Sequence, residues 1–351
     1  MGKVIRTACV LVVSCIVPGP AAARDTTFAT PSQPAQPDVQ QASANLSFVR
    51  AFSSADDLGA HPILNRALDI IAGPKEPETR VDVLQSPSAL TTDSNHRIFV
   101  ADPDAKTVHV FDFIHSKYSR LAGGGGHPVT PISLAVDGRD NLYVADRSSR
   151  TVLIYDSAGK FSGYLGKLNG GESYFESPAS IAIDRTTGRT YVSDTLRHMV
   201  IITDNRGGLI HKIGKRGGGD QPGEFKLPGQ VVVGGGELIV LDVGNKRIQI
   251  FDTAGYFRRS INLTWADNRT GLALDEQGNI YVSDPDLNEI RVFRQEGQLL
   301  YILDLGTIEG TDFSHPLAMW VDAGYCLYVV DSQSNRVGLF QISGQHARQC
   351  Q

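Results

Sequence analysis

Cysteine is scarce in this chain of 351 residues: there are four, at positions 9, 15, 326 and 350, and none is spaced as CxxC or CxxCH. Zinc ribbons and covalently attached c-type haem need such pairs, which removes both. Long apolar runs are missing as well. The most apolar stretch, residues 7–17, falls well short of the ~20 residues a membrane-spanning helix needs. Heptads of helical period are absent, and no cluster of Lys and Arg interrupts a formal charge of −5, so no electrostatic footprint for nucleic acid exists. There is no G-x-S-x-G elbow, no GxxxxGK[ST] loop and no Cys/His pairing that would suggest nucleophilic catalysis.

What the chain has instead is punctuation. Its 36 glycines and 17 prolines are spread between short apolar runs, as in a protein made of many turns. Lys3 and Arg6, the apolar residues 7–17 and Ala21-Ala22-Ala23 read as a signal peptide over 1–23, so export to the periplasm or the extracellular space is expected. A second reading stays open, in which Val12-Val13-Ser14-Cys15 acts as a lipobox and Cys15 carries a lipid anchor. Loss of the leader takes Lys3 and Arg6 and moves the formal charge from −5 to −7. Residues 24–45, rich in Pro, Gln, Ser and Ala, read as a disordered linker. In an oxidising compartment Cys326 and Cys350 are a disulfide candidate, with unpaired thiols as the alternative.

Residues 141–161, NLYVADRSSRTVLIYDSAGKF, hold the unit that organises the rest: a short buried strand closed by Asp146, a polar turn, a second strand, and a DSAGK hairpin turn. The chain writes this unit six times. Its closing aspartates are Asp102, Asp146, Asp194, Asp242, Asp284 and Asp331, at intervals of 44, 48, 48, 42 and 47 residues. That period fits four-stranded propeller blades and excludes helical solenoids. Recurring once per blade, these aspartates read as turn-capping acceptors. Phe175, Phe225 and Phe313, each three residues before a blade-opening proline, read as packing between blades.

The sixth copy ends without a convincing fourth strand, whereas residues 46–52 (LSFVRAF) alternate like an outer strand and resemble YFRRSI at 256–261. The expectation is an all-β, six-bladed β-propeller over 46–345, its ring closed by that N-terminal strand, with a short helix at 62–73 before blade one and a C-terminal tail at 346–351. Ile63, Leu64, Ala67, Leu68 and Ile71 form the helix's apolar face, and Gly73-Pro74 its stop.

GNIYVSD at 278–284, NKRIQIFD at 245–252 and GKRGGGDQPGEFKLP at 214–228 resemble the NHL repeat, and the whole resembles exported bacterial NHL-type six-bladed proteins. The resemblance implies the propeller and its central channel, not one function. On one face the turns between second and third strands read PDAK, RSSR, TLRH, VGNK, PDLN and SQSN. With Lys106, the residues Arg147, Arg150, Arg197, His198, Lys246 and Arg247 compose a candidate basic rim for an anionic ligand or partner, against the plainer reading of solvated turns. Trp265 and Tyr174 are candidate contact aromatics in blade connectors, against the plainer reading of packing between blades, and Trp320 reads as core or channel plug. His127 and His315 read as surface residues, and the glycines at 123–126 and 217–219 as turn formers.

Six-bladed lactonase-type enzymes and amidating lyases hold a channel metal. Here the inner strands open with Ser88, Ile132, Ala179, Gly229, Gly271 and Leu317, and only His198, in SDTLRH, occupies a comparable histidine slot, so no metal, catalytic residue or cofactor is assigned. The leading expectation is an exported, monomeric, non-enzymatic binding or scaffold propeller whose loop face takes a protein, an envelope glycan or an anionic small ligand. The alternative is a divergent hydrolase or lyase of the same fold.

Overall fold

A strand covered on both faces needs apolar side chains at successive positions, and this chain supplies six such strands in sequence order. The structure is a computed structural model that describes residues 46–58, 82–121, 129–166, 173–308, 312–342 and 350. The expected leader with Cys15, the linker, the helix at 62–73, the glycines at 123–126, His127 and nearly all of the C-terminal tail lie outside the described residues.

Six four-stranded antiparallel sheets form an all-β, six-bladed propeller. Their inner strands are Ala89–Thr92, Pro131–Val136, Pro178–Ile183, Pro228–Gly234, Leu272–Leu274 and Pro316–Val321, and these neighbour one another in ring order, the last against the first. Blades one to five run outward in chain order. In blade six the outermost strand is Leu46–Phe52, antiparallel to Arg336–Ile342, with Leu46 opposite Ile342 and Phe52 opposite Val337. A bulge between Phe48 and Arg50 bends this strand around the edge.

Burial falls from the inside out. Every residue of Ile98–Asp102 is buried, whereas Lys117–Leu121 at the rim of the same blade buries only Leu121. Six apolar cores fill the gaps between successive blades: Val100, Phe111 and Tyr328 meet Phe52 between blades six and one, and Val144, Leu134 and Val110 meet between blades one and two. Phe175, Phe225 and Phe313 are buried and each packs on a glycine, Gly166 and Gly214 at the ends of outer strands and Gly338 in the third strand of blade six. Cys326, in the second strand of blade six, is disulfide-bonded to Cys350.

The turns are fixed by short side chains. Asp156, Asp204 and Asp252 each accept backbone N–H groups two and four residues ahead, and Gly159, Gly207 and Gly255 complete these hairpins at positive φ.

Candidate functional site

The loop face is built on the six repeated aspartates. In four blades the opening proline stands opposite the aspartate: Pro131 and Asp146, Pro178 and Asp194, Pro228 and Asp242, Pro316 and Asp331. Each carboxylate is buried, and all but Asp284, which accepts from its own turn's Leu287 N–H and pairs with Arg291, join two loops. Asp102 accepts from the N–H groups of Gln85 and Ser86 in the incoming connector and of Ala105 in its own turn. Asp194 does the same with Glu176, Ser177 and Arg197. Asp146 takes Thr130 N–H on one side and Ser149 N–H and both serine hydroxyls of the RSSR turn on the other. These are the turn-capping acceptors the repeat implied, and a buried carboxylate so engaged is committed to architecture.

Several candidate cations serve the same carboxylates. Arg247 Nε is 2.8 Å from Asp242 Oδ2, and its Nη2 donates to the carbonyls of Gln221 and Glu224. Arg197 lies beside Asp194 and Glu176 and donates to the Tyr174 carbonyl. Arg291 and Arg336, which the sequence reading did not single out, repeat the arrangement with Asp284 and Asp331. In blade one the partner is His109, fully buried, with Nε2 3.5 Å from Asp102 and Nδ1 hydrogen-bonded to the Tyr118 hydroxyl. Burial alone would push the Asp102 carboxyl up. The His109 hydrogen bond and the N–H groups of Ala105 and Gln85 outweigh it and hold the carboxyl below the ordinary value.

The last residue of each turn is left-handed. Lys106, Arg150, His198, Lys246, Asn288 and Asn335 have φ between 50° and 57°. His198 Nδ1 accepts the N–H of Leu227 at 2.9 Å, as Asn288 Oδ1 accepts the N–H of His315 at 2.8 Å. Lys246 is exposed and its Nζ reaches the Thr264 carbonyl at 3.2 Å. Trp265 is half-buried beneath the Arg291 guanidinium, which lies 3.8 Å from its ring centroid. Of the expected rim, Arg147 and Arg150 have exposed side chains that meet no acceptor among the described residues. Leu196, Leu227 and Leu287 are exposed on the same face, Leu196 to 59%.

A central channel of about 770 Å³ is walled by the inner strands. Ser133 Oγ accepts Ile181 N–H, Ser180 Oγ accepts Val231 N–H and Gln230 Oε1 accepts Leu272 N–H, which staples blades two to five along the channel. At the end formed by the hairpins between first and second strands, opposite the loop face, Arg185 of blade three donates to the Thr92 and Val136 carbonyls of blades one and two. Its guanidinium lies 5.7 Å from the ring of Trp320 in blade six, whose indole N–H donates to Thr92 Oγ1. Sequence reasoning missed Arg185, which reads there as an ordinary turn residue. Among the described residues no three His, Cys, Asp or Glu side chains gather as a metal site would require.

A family profile described as a 6-bladed beta-propeller matches residues 182–304. No curated protein matches the chain. Among solved structures, a streptogramin B lyase is similar at 10% identity and TM-score 0.56, over 74% of this chain and 94% of its own. A catalytically inactive virginiamycin B lyase from Staphylococcus aureus with quinupristin is similar at 12% identity and TM-score 0.55, over 74% and 82%. The selenomethionine-substituted virginiamycin B lyase from Staphylococcus aureus is similar at 9% identity and TM-score 0.51, over 73% and 94%. At these identities the likeness is one of fold alone.

Proposed function

We propose that this chain is an exported, non-enzymatic propeller of the NHL-repeat type that binds a protein, an envelope glycan or an anionic small ligand on its loop face. The observation that carries the reading is the division of labour on that face. Its buried carboxylates and four of its arginines are spent on holding turns and connectors, while the groups left to solvent are cations and leucines suited to contact. From blade two to blade four these groups adjoin through one hydrogen-bonded chain of loops. Ser173 donates to the Arg150 carbonyl, Arg197 to the Tyr174 carbonyl, and Leu227 to His198. Arg147, Arg150, Leu196 and Leu227 are therefore the contact residues proposed, with Tyr174 at their centre.

Affinity capture from an envelope extract tests it, with Arg147→Glu/Arg150→Glu and Leu196→Asp variants as controls. A partner retained by the wild type and lost by both variants supports the reading. Turnover of a lactone or ester panel that requires a metal and disappears with the same variants would replace it with the hydrolase or lyase alternative.

A further inference from the structure

The channel has its own mouth, and that mouth is lopsided. In five blades the hairpin between first and second strands has five or six residues, as between Val136 and Leu142 or Ile183 and Thr190. Blade four has two, Gly235 and Gly236, between the paired Gly234 and Glu237. Both glycines have positive φ, the conformation such a tight turn demands. The short hairpin places no side chain at the mouth on blade four, while Arg185 of blade three and Trp320 of blade six meet there over Thr92 of blade one.

We propose that this channel is a binding site for an amphipathic monocarboxylate, its apolar body along the inner strands and its carboxylate on Arg185. Three observations carry this. Aliphatic residues of the inner strands, among them Leu90, Val232 and Leu274, share the lining with Ser133, Ser180 and Gln230 and give way to polar residues at the mouth, and the volume is that of a small-molecule pocket. Arg185 is the one basic residue in the lining among the described residues. Its guanidinium holds more N–H donors than its two carbonyl acceptors use: Nε and Nη2 are engaged and Nη1 remains for a carboxylate. The bonds to Thr92 and Val136 and the Trp320 ring fix the guanidinium before any ligand arrives.

The acidic residues beside the mouth set the ligand's charge. Asp184 is spent on Thr186 and Thr187, and Asp275 on Gln277, Asn279 and Tyr281. Those hydrogen bonds fix both carboxylates without neutralising them, and the Arg185 guanidinium disfavours a ligand ammonium beside it. Their charge, with that of the exposed Glu276, still opposes a second negative charge at the mouth. A single carboxylate is favoured over a phosphate dianion.

Trp320 is one of two tryptophans, so the full chain carrying Trp265→Phe reports on this mouth through its remaining indole fluorescence. Decanoate, decylammonium and decyl phosphate are titrated into it separately, below their aggregation limits. Decanoate is expected to shift the Trp320 emission and to bind more tightly than either of the others. Arg185→Gln is expected to weaken decanoate by about tenfold or more, the loss of a charged hydrogen-bonding partner, while Arg185→Lys loses less. Should Arg185→Gln fail to fold, Thr186→Glu is read in its place: it adds a carboxylate at the mouth without touching the Arg185 hydrogen bonds, and must weaken decanoate too. Absence of decanoate binding, equal affinity for decylammonium, or unchanged affinity in the folded variants overturns the proposal. The loop-face substitutions lie at the other end of the channel, so the two readings fail independently.

Discussion

His198 and Asn288 occupy the same turn position two blades apart and do the same work: each side chain accepts the N–H of the residue before the next blade's proline, Leu227 and His315. Because Nδ1 must be the acceptor, the neutral His198 ring carries its proton on Nε2. His198→Asn should therefore leave the thermal midpoint nearly unchanged, since Asn also tolerates the left-handed backbone. His198→Ala orphans the Leu227 N–H and should cost about 1 kcal/mol in urea unfolding. Equal losses in the two variants would remove the acceptor role.

Gly338 has no room for a side chain. A β-carbon there would stand 2.6 Å from Cε1 and 2.8 Å from Cε2 of Phe313, which is itself buried and cannot retreat. Gly338→Ala should destabilise the protein by about 2–3 kcal/mol. Gly163→Ala, in an outer strand with nothing near the added carbon, is the matched control and should be close to neutral. Denaturant midpoints of the two variants make the comparison.

Acid should unfold the ring through its turn carboxylates. Asp102, Asp204 and Asp252 are all held below the ordinary carboxylate value, Asp102 against its own burial by His109 and two N–H groups, Asp204 by the Gly208 and Arg206 N–H groups, and Asp252 chiefly by the Tyr256 N–H. A depressed folded-state pKa gives stability that is complete above the unfolded value of about 4 and is lost as pH falls through it toward the folded value. Urea midpoints should thus hold level from neutral pH to about 5 and drop below about 4. Asp102→Asn should start lower and fall less steeply; an unchanged slope would discount Asp102.

The disulfide joins residues 24 apart in sequence, Cys326 and Cys350. Reduction, or Cys326→Ser with Cys350→Ser, should lower stability by about 3 kcal/mol through the greater freedom of the unfolded chain. The released end also gives up the hydrogen bond from Cys350 N–H to Gln341 Oε1. Matching unfolding curves for the reduced wild type and the double variant would be the expected result.

Architecture was legible in the sequence because each blade repeats local chemistry: a closing aspartate, a glycine turn and apolar strands of fixed spacing. The site was less so. Arg197, Arg247 and His198 read as free cations, yet the structure turns them inward onto Asp194, Asp242 and Leu227. One signal pointed that way: the column that ends in His198 also holds Asn288 and Asn335, the residue type that suits left-handed turns. Arg185 carried no such signal, because its partners Thr92, Val136 and Trp320 belong to three other blades and meet it only when the ring is closed.

The pairing of Leu46–Phe52 with Arg336–Ile342 imposes an order in time. During synthesis the first strand emerges early and then waits for nearly the whole chain before its partner exists, so blades one to five can form while the ring stays open. The final step joins the two ends of the ring across a long loop, an entropically slow contact that sets when, rather than whether, the channel acquires its shape.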